Sequence, residues 1–138
     1  MAIKQISVFL ENIAGRLSEV TKTLANAGIN IRAISIADTS DFGILRLIVN
    51  KVDAAVAALN QAGFTTRLTD VAAVEIDDTP GSLAHVMELF QKGKVNIEYL
   101  YASLESKSGK AVVIFKLEDH EKGIQIVKEN GLSTVESF

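Results

Sequence analysis

The stretch Glu11-Asn12-Ile13-Ala14-Gly15-Arg16-Leu17 separates two different periodic patterns in this sequence. Before it, residues 3–10 alternate between apolar and more polar positions, which is typical of a β-strand with one buried face. After it, apolar residues recur through residues 17–27 at the spacing of one helical face. The stretch therefore predicts a short turn that carries the chain from a strand into a helix.

The same arrangement occurs a second time, 66 residues later, as Asp77-Asp78-Thr79-Pro80-Gly81-Ser82-Leu83. The shift of 66 aligns Gly15 with Gly81 and carries the dipeptide Asn30-Ile31 onto Asn96-Ile97. Self-similarity at a fixed offset is a sign of repeated structural units. It predicts two similar units of about half the chain each.

Each unit has the pattern of a strand, a helix, two strands, a helix and a strand; we assign the units to residues 1–70 and 71–138. This order predicts an α+β fold: two tandem ferredoxin-like βαββαβ units with antiparallel sheets and with the helices on one face. Right-handed crossovers are expected to make the first and third strands parallel neighbours, with the second and fourth at the edges. Residues 64–76 contain neither proline nor glycine, so we expect one long strand there instead of a flexible linker.

The sheet face opposite the helices is also expected to be covered. Residues 111–117 are apolar at nearly every position, and a strand that is apolar on both faces is usually buried on both. With 48% hydrophobic residues, the chain has more apolar surface than two isolated small units need. We therefore expect the units to pack on each other and the protein to form a homodimer.

The overall composition argues against several classes of function. The net charge is −3 and the 14 lysine and arginine residues are scattered, whereas nucleic-acid binding needs a basic stripe. The absence of cysteine removes disulfides, thiolate chemistry and thiolate metal sites, and it fits an intracellular protein. No signal-peptide pattern opens the chain, and no apolar run approaches the roughly 18 residues that cross a membrane. We expect a cytoplasmic protein with no nucleic-acid or membrane partner.

The turn before each helix is the part of each unit that is best suited to hold a ligand. The first N–H groups of a helix have no partner within the helix, and the helix dipole favours an anion there. In the second unit we predict that Thr79 caps the helix and that Pro80 takes its first position. Gly15 and Gly81 lack a Cβ atom, which would allow a ligand to come close.

An asparagine begins the second strand of each unit, Asn30 in the first and Asn96 in the second. An amide side chain donates and accepts hydrogen bonds, which suits the carboxylate and ammonium groups of a zwitterion. Glu-Asn-x-x-Gly-Arg-Leu followed by Gly-x-Asn-Ile resembles an ACT domain, the small-molecule-sensing module of amino-acid metabolism. Asp-Asp-Thr-Pro-Gly-Ser-Leu with Val-Asn-Ile resembles a second ACT domain, and the two together cover essentially the whole chain.

This resemblance implies that the units pair side by side and bind an amino acid at their interface. In the family, the ligand contacts come from the glycine-containing turn and from the asparagine at the start of the second strand. Carried onto this sequence by position, the implied ligand-binding residues are Asn12, Ile13, Ala14, Gly15, Asn30 and Ile31 in the first unit and Asp78, Thr79, Pro80, Gly81, Asn96 and Ile97 in the second.

Two departures from the family pattern bear on the ligand. Serine-sensing members have a histidine two residues before the turn asparagine, where this chain has Leu10 and Ile76, so serine is disfavoured. Asp78 stands where the first unit has Asn12; because an ionised carboxylate only accepts hydrogen bonds, the two sites should differ in affinity. Apolar neighbours favour a branched or aromatic amino acid over a charged one; they are Leu10, Ile13, Ile31 and Ile97.

Other kinds of site have less support in the sequence. His85 and His120 stand on separate predicted helices without the spacing of a metal site, so we expect surface or hydrogen-bonded histidines. The motifs of nucleophilic, phosphate and dinucleotide chemistry are missing, and we expect neither a cofactor nor catalysis. Tyr99 and Tyr101 share one face of a second strand; RNA-recognition modules use the first and third strands, so we expect tyrosines on a covered sheet.

The resulting hypothesis is a non-catalytic regulatory sensor that binds a free amino acid between ACT-like units and modulates a partner enzyme of amino-acid metabolism. The alternative is a regulatory small subunit that docks on a synthase, as in the acetolactate synthases, with ligand binding secondary. Those subunits follow a similar first unit with a different second domain. The second ACT-like unit therefore disfavours the alternative.

Overall fold

The computed structural model describes residues 3–11, 13–38, 42–104 and 109–138. Asn12, one of the predicted site residues, lies outside these ranges. No helix within the ranges is both long and apolar enough to cross a membrane. The elements, in chain order, are β1 (Ile3–Glu11), α1 (Arg16–Asn26), β2 (Ile31–Asp38), β3 (Phe42–Val49), α2 (Val52–Gln61), β4 (Thr65–Asp77), α3 (Ser82–Lys92), β5 (Ile97–Ala102), β6 (Lys110–Leu117), α4 (His120–Glu129) and β7 (Ser133–Thr134).

The chain divides into two compact units. The N-terminal unit comprises Lys4–Thr69 with Phe138, and the C-terminal unit comprises Asp70–Ser137 with Ile3. Strand β4, of 13 residues, runs without interruption through the division, as the lack of proline and glycine predicted. The domain boundary at residue 70 stays a prediction, because compactness alone does not show that either unit folds by itself.

In the N-terminal unit the strands are ordered β2, β3, β1, β4. Strands β1 and β2 both pair antiparallel with β3, so that Val8 and Ile36 each lie opposite Leu45. The first and third strands are therefore neighbours as predicted, but the prediction that they are parallel is wrong. A crossover makes β1 and β2 parallel, and the reversal between β2 and β3 then makes β3 antiparallel to both.

The C-terminal unit repeats this order as β5, β6, β4, β7, again with antiparallel pairing throughout. Its last strand is only two residues long, Ser133–Thr134, and these pair with Val74 and Glu75 of β4. Val135 continues the contact with one hydrogen bond, from its N–H to the carbonyl oxygen of Ala73 at 2.8 Å. The predicted fold class, two ferredoxin-like βαββαβ units with antiparallel sheets, is confirmed.

Each unit has its own hydrophobic core between the sheet and its two helices. Alternate strand residues supply one side of the core and the apolar faces of the helices supply the other. The N-terminal core contains Ile6, Val8, Leu10, Val20, Leu24, Ile29, Leu45, Leu47, Val49, Ala55 and Leu59. The C-terminal core contains Ala72, Val74, Ile76, Val86, Phe90, Val95, Val113, Phe115, Leu117, Ile124 and Val127.

Side chains on the sheet face opposite the helices are buried as well, which agrees with the prediction that this face is covered. Tyr99 and Tyr101 lie on it, opposite Lys116 and Ile114 of β6, and both tyrosines are half-buried. On this face of each unit several side chains are almost fully buried; they are Gln5, Ala33 and Ile48 in the N-terminal unit and Val71, Ala73 and Ile114 in the C-terminal unit.

Candidate functional site

Both predicted turns have the same backbone geometry at their glycine. Gly15 has φ 91° and ψ −18°, and Gly81 has φ 89° and ψ −12°, a left-handed conformation that favours glycine. Each glycine carbonyl accepts a hydrogen bond from the N–H four residues further on, at 3.0 Å in both units. A Cβ atom added to either glycine would meet nothing within 4 Å. The backbone conformation therefore requires glycine, and the space beside each glycine is open.

The helix cap that we predicted from Thr79 and Pro80 is wrong. Helix α3 begins at Ser82 with the preceding glycine as its N-cap, so both residues lie inside the turn, where they are exposed. The hydroxyl oxygens of Thr79 and Ser82 are 2.8 Å apart. Ile13 and Ala14 occupy the equivalent positions of the N-terminal unit, which shows that this turn does not depend on a capping side chain.

At neither helix start does the N-cap residue supply a side-chain acceptor, because the N-cap is a glycine in both units. The first helical N–H groups donate instead to carbonyl oxygens of the turn, from Arg16 to Ile13 at 3.4 Å and from Ser82 to Thr79 at 3.3 Å. Helix α4 differs, because Asp119 Oδ1 accepts from the backbone N–H of Lys122 at 3.1 Å. The positive end of the helix dipole is suited to an anion. The two turns therefore have the property on which the predicted site depends.

An acidic residue ends the strand before each turn, and a basic residue pairs with it. Arg16 bridges Glu11, with Nη2 3.4 Å from Oε1, and Glu19, with Nη1 3.1 Å from Oε2. In the C-terminal unit Asp77 pairs with Lys110, and the hydrogen bond to this carboxylate, together with its charge, raises the pKa of the lysine. Each turn thus lies beside both an acidic and a basic side chain, the two charges that a zwitterion would need.

Asn30 and Asn96 are exposed and lie at the other end of their units. The N–H of Asn30 donates to Oδ1 of Asn50 at 3.0 Å, and the N–H of Asn50 donates to the Asn30 carbonyl at 3.2 Å. The Asn96 carbonyl accepts similarly from Glu118 at 3.0 Å. A helix of 11 residues, roughly 16 Å long, separates each asparagine from the turn of its own unit. Within one unit, the structure does not bring the two halves of the predicted site together.

The remaining predicted residues have different environments. Ile13 is 56% exposed in its turn, whereas Ile31 and Ile97 are half-buried and pack against the cores of their own units. Asp78 is exposed, and its N–H donates to the carbonyl oxygen of Gly109 at 2.9 Å. Of the three isoleucines, Ile13 therefore has the most surface for contact with a ligand.

Sequence reasoning missed a cavity at the turn end of the N-terminal unit. Its volume is about 290 Å³, and its wall includes Phe9, Phe42 and Phe64 together with the pair of Glu11 and Arg16. None of these five residues was among the predicted ligand contacts. The arginine belongs to the turn motif and could have been found there, but the phenylalanines are scattered along the sequence.

The two histidines differ from one another. His85 is exposed, as expected. His120 is half-buried, and both of its ring nitrogens are buried without a hydrogen-bond partner among the described residues, so the expectation is wrong for this histidine. Within the same ranges, no group of three or more histidine, aspartate and glutamate side chains could hold a metal ion.

A family model described as an ACT domain pair matches residues 1–137. The chain belongs to the ACT domain family. The resemblance carried by the two turn motifs is thereby confirmed for both halves of the chain. No protein of curated function matches this ACT domain pair.

Solved structures with similar folds include both a near relative and more distant ones. Protein BT0572 from Bacteroides thetaiotaomicron is 39% identical, covers 98% of this chain and 92% of its own, and gives a TM-score of 0.92. The regulatory subunit of aspartate kinase from Thermus thermophilus, in its ligand-free form, is 21% identical over 93% of this chain and 92% of its own, with a TM-score of 0.69. The corresponding subunit from Thermus flavus is 22% identical, the match covers 91% of this chain and 90% of that subunit, and the TM-score is 0.62. These two subunits share the fold of the ACT pair.

Replacing Gly15 by alanine should destabilise the ACT pair by about 1–2 kcal/mol, because a Cβ atom is disfavoured at this positive φ. No contact confounds the effect, since the added carbon would meet nothing within 4 Å. Gly15→Asn should cost less, because asparagine tolerates this conformation better. Urea unfolding measures both, with Gly43→Ala as the control at a glycine whose φ is not positive. Equal stabilities of the two alanine variants would contradict the role of the turn conformation.

Proposed function

We propose that this ACT domain pair is a non-catalytic regulatory protein that binds a free amino acid at an interface between ACT units and modulates a partner enzyme of amino-acid metabolism. The observation that carries the proposal is the duplicated turn, with a left-handed glycine of matching geometry as the N-cap of the helix in both units. The regulatory subunits of aspartate kinase, which have the same fold, support a regulatory role. We further propose a homodimer and a branched or aromatic ligand.

The ligand's two charges have partners at each turn. Its carboxylate would be stabilised by the positive end of the helix dipole at the helix start, and its ammonium by the acid that ends the preceding strand, Glu11 or Asp77. Regulation then requires that the ligand bind one conformation of the protein more tightly than another. A ligand present at 100 times its Kd stabilises the state it binds by about 2.7 kcal/mol, enough to shift the balance between two conformations of similar energy.

The first test is whether any amino acid binds. Thermal-shift screening of the common amino acids, followed by titration calorimetry, should identify at least one that raises the Tm and binds with a measurable heat. Each ligand should be compared with its carboxamide, which lacks the negative charge that the helix start favours. If no amino acid binds at millimolar concentration, the proposed function is wrong.

A second test concerns the two copies of the turn. Asn12→Ala should weaken binding by about tenfold, because the amide can donate to the ligand's carboxylate, whereas Asp78 would repel it. Asp78→Ala is the matched variant in the C-terminal unit, and we expect it to leave affinity nearly unchanged. Equal losses for the two variants would show that the copies are equivalent. Unchanged affinity for Asn12→Ala would exclude the N-terminal turn as a contact.

The synthase small subunit remains the second candidate, and the family match weighs against it. The ACT domain pair spans residues 1–137, so the second half of the chain is another ACT unit and not a different domain. Co-purification of the full chain with a large catalytic subunit, without an effect of any amino acid, is the result that would favour this candidate.

A further inference from the structure

The cavity at the turn end of the N-terminal unit combines aromatic and charged groups in a way that indicates a particular ligand. Three of the six phenylalanines of the chain, Phe9, Phe42 and Phe64, contribute to its wall. The first two remain 40% and 60% exposed. Aromatic surface left in water is unfavourable, so an apolar group that enters the cavity gains by covering it.

Opposite charges lie in the same wall. Arg16 Nη2 and Glu11 Oε1 are 3.4 Å apart, and both side chains are accessible to solvent. Exposed ion pairs contribute little to stability, so a ligand can open this pair at little cost. The guanidinium would then bind a carboxylate through two parallel hydrogen bonds, and Glu11 would bind an ammonium group. Glu19 continues to hold Nη1 of the arginine at 3.1 Å and so limits its movement.

The C-terminal unit does not repeat these groups. The shift of 66 places Glu75 at the position of Phe9 and Ser82 at that of Arg16, and the acid of this unit pairs with Lys110 from β6. Phe42 corresponds in the sequence to a serine. Although the two turns have matching glycine geometry, only the N-terminal unit has the aromatic wall and the arginine beside it.

We propose that this cavity holds the side chain of an aromatic α-amino acid, whose carboxylate is bound by Arg16 and whose ammonium group is bound by Glu11. The class of ligand rests on the proposed function, whereas the position and the aromatic preference rest on the cavity. Specificity for an aromatic side chain comes from Phe9, Phe42 and Phe64. Among the residues that the structure describes, this combination of groups lies in the N-terminal unit.

Calorimetric titration of the full chain with L-phenylalanine tests the charges and the ring separately. 3-Phenylpropionate lacks the ammonium group, phenethylamine lacks the carboxylate and L-alanine lacks the ring. Each should bind at least about tenfold more weakly than L-phenylalanine, because each leaves one group of the site without its partner. Equal affinities for L-phenylalanine and L-alanine would overturn the aromatic preference.

Variants locate the site. Arg16→Ser, which introduces the residue of the C-terminal unit, and Phe42→Ala should each weaken L-phenylalanine binding by about tenfold or more. Both side chains are accessible, so the variants should fold, as unfolding curves can verify. Leu104→Ala, which removes a 65% exposed apolar side chain from the C-terminal unit, is the control and should bind normally. If both variants bind an amino acid as tightly as the unaltered protein does, the cavity is not the site, but the proposed function stands. If no amino acid binds the unaltered protein, both proposals are wrong.

Discussion

Replacement of Phe115 by alanine is expected to lower the free energy of unfolding by about 3–5 kcal/mol. The ring is fully buried in the C-terminal core and meets the edge of Phe90 at a centroid distance of 5.3 Å and an interplanar angle of 69°. Removing it loses the transfer free energy of the ring, leaves a cavity and abolishes an aromatic contact that is worth about 0.5–1.5 kcal/mol by itself. The N-terminal core has Leu24 and Val49 at the equivalent positions, so only one unit depends on this pair.

Urea unfolding followed by circular dichroism would measure this loss. Because the chain has two compact units, the dependence of the unfolding free energy on urea concentration should also be compared between the variants, since a changed slope would indicate an intermediate. Phe9→Ala is the control, since that ring is 40% exposed and lies outside the core. A cycle with Phe90→Leu isolates the contact between the rings. A loss below about 1 kcal/mol for Phe115→Ala would contradict the described packing of this core.

Replacement of Gly123 by valine should have the second largest effect, a loss of about 2–3 kcal/mol. Helix α4 lies so close to the sheet that the first carbon added at Gly123 would be 2.1 Å from Leu117 Cδ1 and 3.7 Å from Phe90 Cε1. Leu117 is itself fully buried, so its side chain can turn away only by displacing its neighbours. Valine adds two more carbons to the same space.

The effect of Gly123→Val should appear in thermal and urea unfolding alike. Lys122→Val is the control, because it places the same side chain on an exposed position of α4 and changes only helix propensity, by a few tenths of a kcal/mol. Similar stabilities of the two variants would mean that α4 can move away from the sheet. A partial rescue of Gly123→Val by Leu117→Ala would confirm that these two side chains compete for one space.

Local periodicity was sufficient to predict the element order, and one general rule was applied to the wrong pair of strands. The alternation before Gly15 and the helical spacing after it depend on neighbouring residues, so the strand and the helix could be found. The crossover rule relates β1 to β2, but the prediction applied it to β1 and β3. The direction of β3 depends on the reversal that precedes it, which a pairwise rule for a crossover does not contain.

The predicted cap shows a different limit of sequence reasoning. Threonine and proline are common at helix starts, yet α3 starts at Ser82 because the left-handed glycine before it already turns the chain into the helix. The N-terminal copy argues against this cap, since Ile13 and Ala14 occupy the positions of the threonine and the proline. A comparison of the two copies was more informative than the propensities of either.

The cavity could not be predicted because only the tertiary fold brings its aromatic residues to one wall. Phe42 lies opposite Glu11 in the ladder between β1 and β3, and Phe64 follows α2, more than 50 residues after Phe9 in the chain. The turn motif was found because its residues are consecutive. A site assembled from the ends of several elements requires their register, which the sequence pattern does not specify.

The continuity of β4 has a practical consequence for handling the protein. The division between the units falls between Thr69 and Asp70, in the interior of a strand and not in a loop. Proteases and inserted tags both need a segment of backbone that can leave its hydrogen-bonded neighbours. The junction between the two ACT units is therefore a poor place for a cleavage site or a fusion partner, although junctions between repeated units are the usual choice for truncation or insertion.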